Sequence, residues 1–106
     1  MFELLNRQSE KVVNVNDIDN LLGKVELIDI REPFEYERGA IETSKNIPMG
    51  ELIENADKYL TKDKEYYIVC QAGVRSDRVC KSLRTKGFDV IDVAGGYGSY
   101  LGNRRK

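Results

Sequence analysis

Five short strand-like runs alternate with helical stretches along the whole chain, and this alternation constrains the fold more than any other feature. The runs are "VVNV" (12–15), "VELIDI" (25–30), "KNIP" around Ile47, "YYIV" (66–69) and "VIDV" (90–93). Between the first two, Asn16 is placed to cap a brief helix with Ile18, Leu21 and Leu22 on its apolar stripe and Gly23 past its end. "EPFEYERG" sets Pro33 at a first helical position and Gly39 after the last. "GELIENADKYL" puts Leu52, Ala56, Tyr59 and Leu60 on one helical face. A helix over 76–86 carries Val79, Cys80 and Leu83 inward and Arg78, Lys81 and Arg84 outward, and Gly87 ends it. "AGGYGSYL" is a loop with a weak last helix. Strands joined through helices require crossover connections. The expected fold is therefore α/β, in three layers, with a five-stranded, mainly parallel sheet and helices on both faces. With 106 residues and no repeat or linker, one domain over 1–106 is expected.

In open sheets of this kind ligands bind outside the carboxyl ends of the strands. Residues 29–32 follow the second strand, 70–75 the fourth, and Gly95 with Gly96 the fifth. Far apart in sequence, they are expected to share one sheet edge.

The chain has no histidine, which removes Ser-His-Asp and Cys-His catalysis and His-ligated metals. Its two cysteines are too few for a four-cysteine site and form no C-x-x-C pair, so no metal and no cofactor is expected. A net charge of −1 gives no reason to expect nucleic-acid or membrane-surface binding. No stretch approaches the length of a transmembrane helix. "MFELLNRQSEK" lacks a basic region leading into an apolar segment, so no secretory signal is read and a cytoplasmic location is expected. The terminal "NRRK" and the connection "TKDKE" read as solvated segments.

Cys70 stands between a strand end and a helix start, in "YYIVCQAGVRSDRVCKSL". A free thiol is mostly protonated near neutral pH and reacts as its thiolate. A helix start offers unpaired N–H groups and partial positive charge. If "QAGV" curls around the sulfur, the amides of Gln71, Ala72, Gly73, Val74 and Arg75 form an anion-binding nest. Gly73 permits positive φ. Arg75 adds a charge independent of pH. Ser76 can cap the helix or donate to the sulfur. The bland alternative for Cys70 is a buried structural cysteine. For Cys80, on the apolar stripe, core packing is favoured over a resolving thiol. Asp29 and Arg31 read as a surface or supporting ion pair at the strand end, or as pocket-shaping residues, and neither as chemically catalytic. For Tyr97 and Tyr100, packing is favoured over substrate contact.

"LIDIREPFEYERGAI", "NIP", "CQAGVRS" and "GFDVIDVAGGY" occur in the order of, and resemble, the motifs of the rhodanese-like sulfurtransferase family. There the first half often reads D-V-R, then E-Y-x-x-G-H-I, then N-I-P. The resemblance runs from about Val12 to Tyr100 and implies a five-stranded parallel sheet between helices. It further implies that Cys70 takes a sulfane sulfur from a small donor such as thiosulfate and holds it as a persulfide. A nucleophilic acceptor such as cyanide or a thiol then removes it. The loop amides and Arg75 would bind the anionic sulfur and donor, with Asp29, Arg31, Gly95 and Gly96 in support. Two positions depart: Ala40 replaces the histidine of "GHI", and Tyr100 stands where the family often has tryptophan. Neither touches the loop.

Three rival functions share parts of this pattern. A cysteine phosphatase or arsenate reductase has five residues between cysteine and arginine, against four here, and needs a general acid that nothing singles out. A non-catalytic binding module often lacks the loop cysteine. A relay fed by a protein persulfide donor shares the chemistry and differs in its donor.

Overall fold

The computed structural model describes residues 11–106. Five strands form one sheet: β1 (Val12–Asn14), β2 (Glu26–Asp29), β3 (Lys45–Asn46), β4 (Glu65–Val69) and β5 (Asp89–Ala94). Their order is β1-β5-β4-β2-β3, and every pairing is parallel. The α-helices are α1 (Pro33–Glu37), α2 (Met49–Glu54), α3 (Ala56–Tyr59) and α4 (Val74–Thr85).

The central strands are buried on both faces, so their side chains alternate between two cores with a period of two. Ile28, Ile30, Ile68, Cys70 and Val90 enter one core, closed by Leu52 of α2, Ala56 of α3 and Val79, Cys80 and Leu83 of α4. Leu27, Val69 and Val93 enter the other, closed by Val15, Ile18, Leu22, Ile41 and Tyr100. The three layers are as expected, but 3₁₀ turns at Val15–Asp17, Asp19–Leu21 and Tyr97–Ser99 help build the second outer layer.

Four local readings are corrected. Asn14, not Asn16, caps the first turn: its side chain accepts from the Asn16 amide at 2.8 Å. Asn16 instead ties down the far end of the chain, donating to Ser99 O and accepting from the Leu101 amide. The helix expected over 50–60 breaks at Asn55, whose backbone leaves the helical region and whose Nδ2 donates to Glu51 O; a short polar side chain competes there with the helical ladder. Leu52, Ala56 and Leu60 nevertheless keep a common core. Arg84 turns toward β5, donating to Val90 O and Lys11 O at 3.0 Å each. The "NRRK" tail is docked rather than free: Arg104 O accepts from the Glu42 amide, the Lys106 amide donates to Ala40 O, and Arg105 bridges Ile41. Among the described residues, no helix is long and apolar enough to cross a membrane.

Candidate active site

At the carboxyl end of β4 the period-two alternation continues by one residue and turns the Cys70 side chain beneath the start of α4. Gly73, at φ 93°, reverses the chain there and is the N-cap. The amides of the first helical turn lack intrahelical carbonyl partners, and two amides aim at the sulfur, that of Gly73 in the loop and that of Ser76 in α4; the amides of Gln71, Ala72, Val74 and Arg75, expected in the nest, do not contact it. Gly73 N lies 3.0 Å and Ser76 N 3.3 Å from Cys70 Sγ. Ser76 Oγ is 3.4 Å from the same sulfur and donates to Gly73 O at 3.1 Å. Helix α4 has 12 residues, so its amino end also brings a partial positive charge to the sulfur. Cys70 is wholly buried.

The expected convergence of segments at this edge is present. Tyr97 N donates to Cys70 O at 2.8 Å, and Gly98 N to Gln71 O at 2.9 Å. The turn after β5 thus clamps the backbone of the cysteine loop. Such a close approach leaves no room for a side chain at Gly96. A Cβ there would lie 2.5 Å from Gln71 O and 2.7 Å from Cys70 O, and its φ of 70° with ψ of 179° is essentially glycine-only. Gly96→Ala is therefore expected to cost about 3 kcal/mol and to loosen the loop. Thermal unfolding together with the rate of Cys70 alkylation would read both effects. Gly95 sits 3.2 Å from the position of a Gly73 Cβ, so the two turns touch.

Asp29 and Arg31 form a buried pair, not a surface one, with side chains 1% and 2% exposed. Arg31 Nη2 lies 2.8 Å from Asp29 Oδ2, and Nε contacts both carboxylate oxygens at 3.0 Å. The remaining donors reach Gly39 O at 2.7 Å, Glu35 O at 3.4 Å and Gln71 Oε1 at 3.0 Å. The guanidinium stacks on Tyr97, 4.5 Å from the ring centroid. Arg31 therefore fastens β2, α1, the cysteine loop and the β5 turn together. Gln71 is held at both ends, by Arg31 and by Gly98.

Arg75 does not stand free over the loop. It pairs with Glu35 of α1 at 3.0 and 3.1 Å. Glu35 also accepts from the Glu32 amide and so completes a capping box on α1. The Arg75 hydrogen bond holds its carboxyl below the ordinary glutamate range, against the opposing effect of partial burial. Ala72 and Val74 are exposed on the outside of the loop. Cys80 lies in the α4 core, where burial pushes its thiol up to about 12 and keeps it protonated.

A cleft of about 370 Å³ adjoins the loop, lined by Phe34, Arg38, Gly39, Gln71 and Tyr97, with Arg31 and Glu35 behind. A second cleft, about 450 Å³, is lined by Ile53, Lys62, Lys86 and Phe88 near the amino ends of β4 and β5, away from Cys70. Among the described residues no group of three or more metal-ligating side chains is present. Glu35, Phe34 and Arg38 were not singled out by the sequence. The one available signal for Glu35 was its three-residue spacing from Glu32.

Comparison with known proteins defines the class. The family model for the rhodanese-like domain matches residues 14–103. A Bacillus subtilis protein named "Putative sulfurtransferase YtwF" is 40% identical over 79 residues, covering 74% of this chain and 76% of that protein. The "Uncharacterized protein YqhL" of the same organism is 39% identical over 80 residues, 74% of this chain and 63% of its own length. The crystal structure of a rhodanese-related protein from Thermoplasma volcanium superposes with a TM-score of 0.76 at 35% identity, covering 86% of this chain and 90% of that one. The chain belongs to the rhodanese-like family.

Proposed function

We propose that this chain is a sulfurtransferase in which Cys70 carries the sulfur. The observation that carries the reading is the pair of amides, Gly73 N and Ser76 N, aimed at a buried sulfur at the amino end of a helix. Relatives named as sulfurtransferases support a sulfur-transfer role. Those donors stabilise an anion on Cys70, as a thiolate before transfer and as a terminal persulfide sulfur after it. The Cys70 thiolate attacks the outer sulfur of thiosulfate. A Cys70–sulfur bond forms, the donor S–S bond breaks, and sulfite leaves with the bonding pair. Cyanide, or a thiolate, then attacks the terminal sulfur of the persulfide. In the cyanide case thiocyanate leaves and the Cys70 thiolate is restored. Gln71, Ala72, Gly73, Val74, Arg75 and Ser76 form the loop that receives the donor. Asp29, Arg31, Gly95 and Gly96 hold the loop in shape.

One observation bears on the donor. Arg75 is already neutralised by Glu35, which weakens its attraction for a dianion. A persulfide donor, small or protein-borne, uses the same chemistry without needing that charge. The expected kinetic signature is a two-step exchange: with donor and cyanide varied together, double-reciprocal plots of thiocyanate formation run parallel. Intersecting lines would mean direct transfer in a ternary complex and would overturn the persulfide carrier.

A further inference from the structure

Strand β5 carries a carboxyl group into the apolar layer beneath α4. Asp92 pairs with Ile68 across the β4–β5 ladder, and Ile68 shares its core with Cys70, so the register puts Asp92 on the cysteine's side of the sheet. Asp92 is only 7% exposed. Among the described residues it has no ion pair, and its Oδ1 has no hydrogen-bond partner. Such a group is costly to bury. Asp77, Lys81 and Arg84 of α4 act on it through space, and Cys80 beside it stays protonated. Arg84 is directed to Val90 O and Lys11 O instead, and Lys11 pairs with Asp89. Burial raises the Asp92 pKa, and the Ser76 hydroxyl opposes that rise. The same hydroxyl lies 3.4 Å from Cys70 Sγ. It has one proton, which now goes to Gly73 O at 3.1 Å. Gly73 O also accepts from the Asp77 amide, so it keeps a donor when Ser76 turns away.

We propose that Asp92 is a positioning residue for sulfur transfer that acts on Cys70 through Ser76. The inference rests on the sulfur-transfer reading. As a carboxylic acid, Asp92 donates to Ser76 Oγ and turns the serine proton toward the Cys70 sulfur. The thiolate then has three donors, Gly73 N, Ser76 N and Ser76 Oγ. A carboxyl group kept neutral in an apolar site serves as a donor in this way. As a carboxylate, Asp92 takes the serine proton for itself and sets a second negative charge beside the sulfur. Both changes disfavour the Cys70 anion. The only transfer in this switch is one proton, exchanged between Asp92 and solvent.

The test is the pH profile of Cys70 alkylation by iodoacetamide, mapped by peptide mass, in the native chain, Asp92→Asn, Asp92→Leu and Ser76→Ala with and without Asp92→Asn. Asparagine is neutral at every pH and still carries an N–H donor. The native rate is expected to rise in two stages, with a shoulder where Asp92 titrates. Asp92→Asn should rise in one stage, with its midpoint lower by about one unit. Below the midpoint that makes alkylation about tenfold faster. Asp92→Leu removes the charge without supplying a donor, so it should lower the midpoint by less than asparagine does; it also carries the test should Asp92→Asn not fold. Without Ser76, Asp92→Asn should move the midpoint by less than half as much. A structural role alone would change the unfolding midpoint and leave the profile in place. A profile unmoved by either Asp92 variant, or an Asp92→Asn shift equally large without Ser76, would overturn the role of Asp92 acting through Ser76. Sulfur loading is read separately by intact mass. A native chain that takes no sulfur from thiosulfate or from a persulfide donor would overturn the sulfur-transfer reading beneath the proposal.

Discussion

Cys70→Ser is expected to reduce sulfur transfer to the uncatalysed background while leaving the fold in place. Serine fits the same space, and its hydroxyl oxygen can accept from Gly73 N and Ser76 N as the sulfur does. The expected loss of stability is about 1 kcal/mol. An alcohol is far less acidic than a thiol, and two amides and a helix terminus do not make it an alkoxide. A hydroxyl also cannot store sulfur as a persulfide. The remaining thiol gives no rescue, because Cys80 is buried in the α4 core with its titration pushed up to about 12. Thiocyanate formation and a thermal unfolding curve on the same preparation check both halves. Transfer persisting in the variant would move the carrier away from Cys70.

The second large effect is on stability. Arg31→Met leaves the Asp29 carboxylate buried without its partner, and breaking such a pair costs about 3–5 kcal/mol. For a chain of this length that corresponds to an unfolding midpoint lower by about 15 °C or more. Gln71 Oε1 and Gly39 O lose a donor at the same time, so the cysteine loop is expected to loosen as well. Arg31→Lys should fall short of full rescue, because an ammonium cannot reproduce the forked pattern to Asp29, Gly39 and Gln71. Adding Asp29→Leu to Arg31→Met should recover part of the loss, since the stranded charge goes with it. Chemical denaturation of the native chain, Arg31→Met, Asp29→Leu and the double variant measures the coupling. Additive costs would mean that the pair does not act as a unit.

The sheet was legible because β2, β4 and β5 are short apolar runs between turn signals, and their burial on both faces leaves little ambiguity in where they lie. The shared edge followed from topology alone, since parallel strands place their carboxyl ends together. Part of the nest around Cys70 was legible for a local reason: strand end, glycine and helix start lie within seven consecutive residues, 70–76, but of the five amides expected from 71–75 only that of Gly73 reaches the sulfur, and the second donor is the amide of Ser76. What escaped the sequence is tertiary. Glu35 and Arg75 are 40 residues apart, and nothing in either neighbourhood announces the other. Arg31 read as half of an ion pair, whereas its contacts with Gly39, Gln71 and Tyr97 depend on how α1 and the β5 turn come to rest. The break at Asn55 turns on one side chain competing with its own helix, and the docking of 104–106 on a backbone pairing that carries no hydrophobic pattern.

The most direct test is the intact mass of the reduced protein after exposure to excess thiosulfate, and separately to a persulfide donor, small or protein-borne, with each donor removed. A gain of about 32 Da, one sulfur held as a persulfide, is expected in the native chain. It should vanish on adding cyanide and be absent in Cys70→Ser. No gain with thiosulfate or with a persulfide donor, or a gain retained in Cys70→Ser, would contradict the assignment of Cys70 as the sulfur carrier.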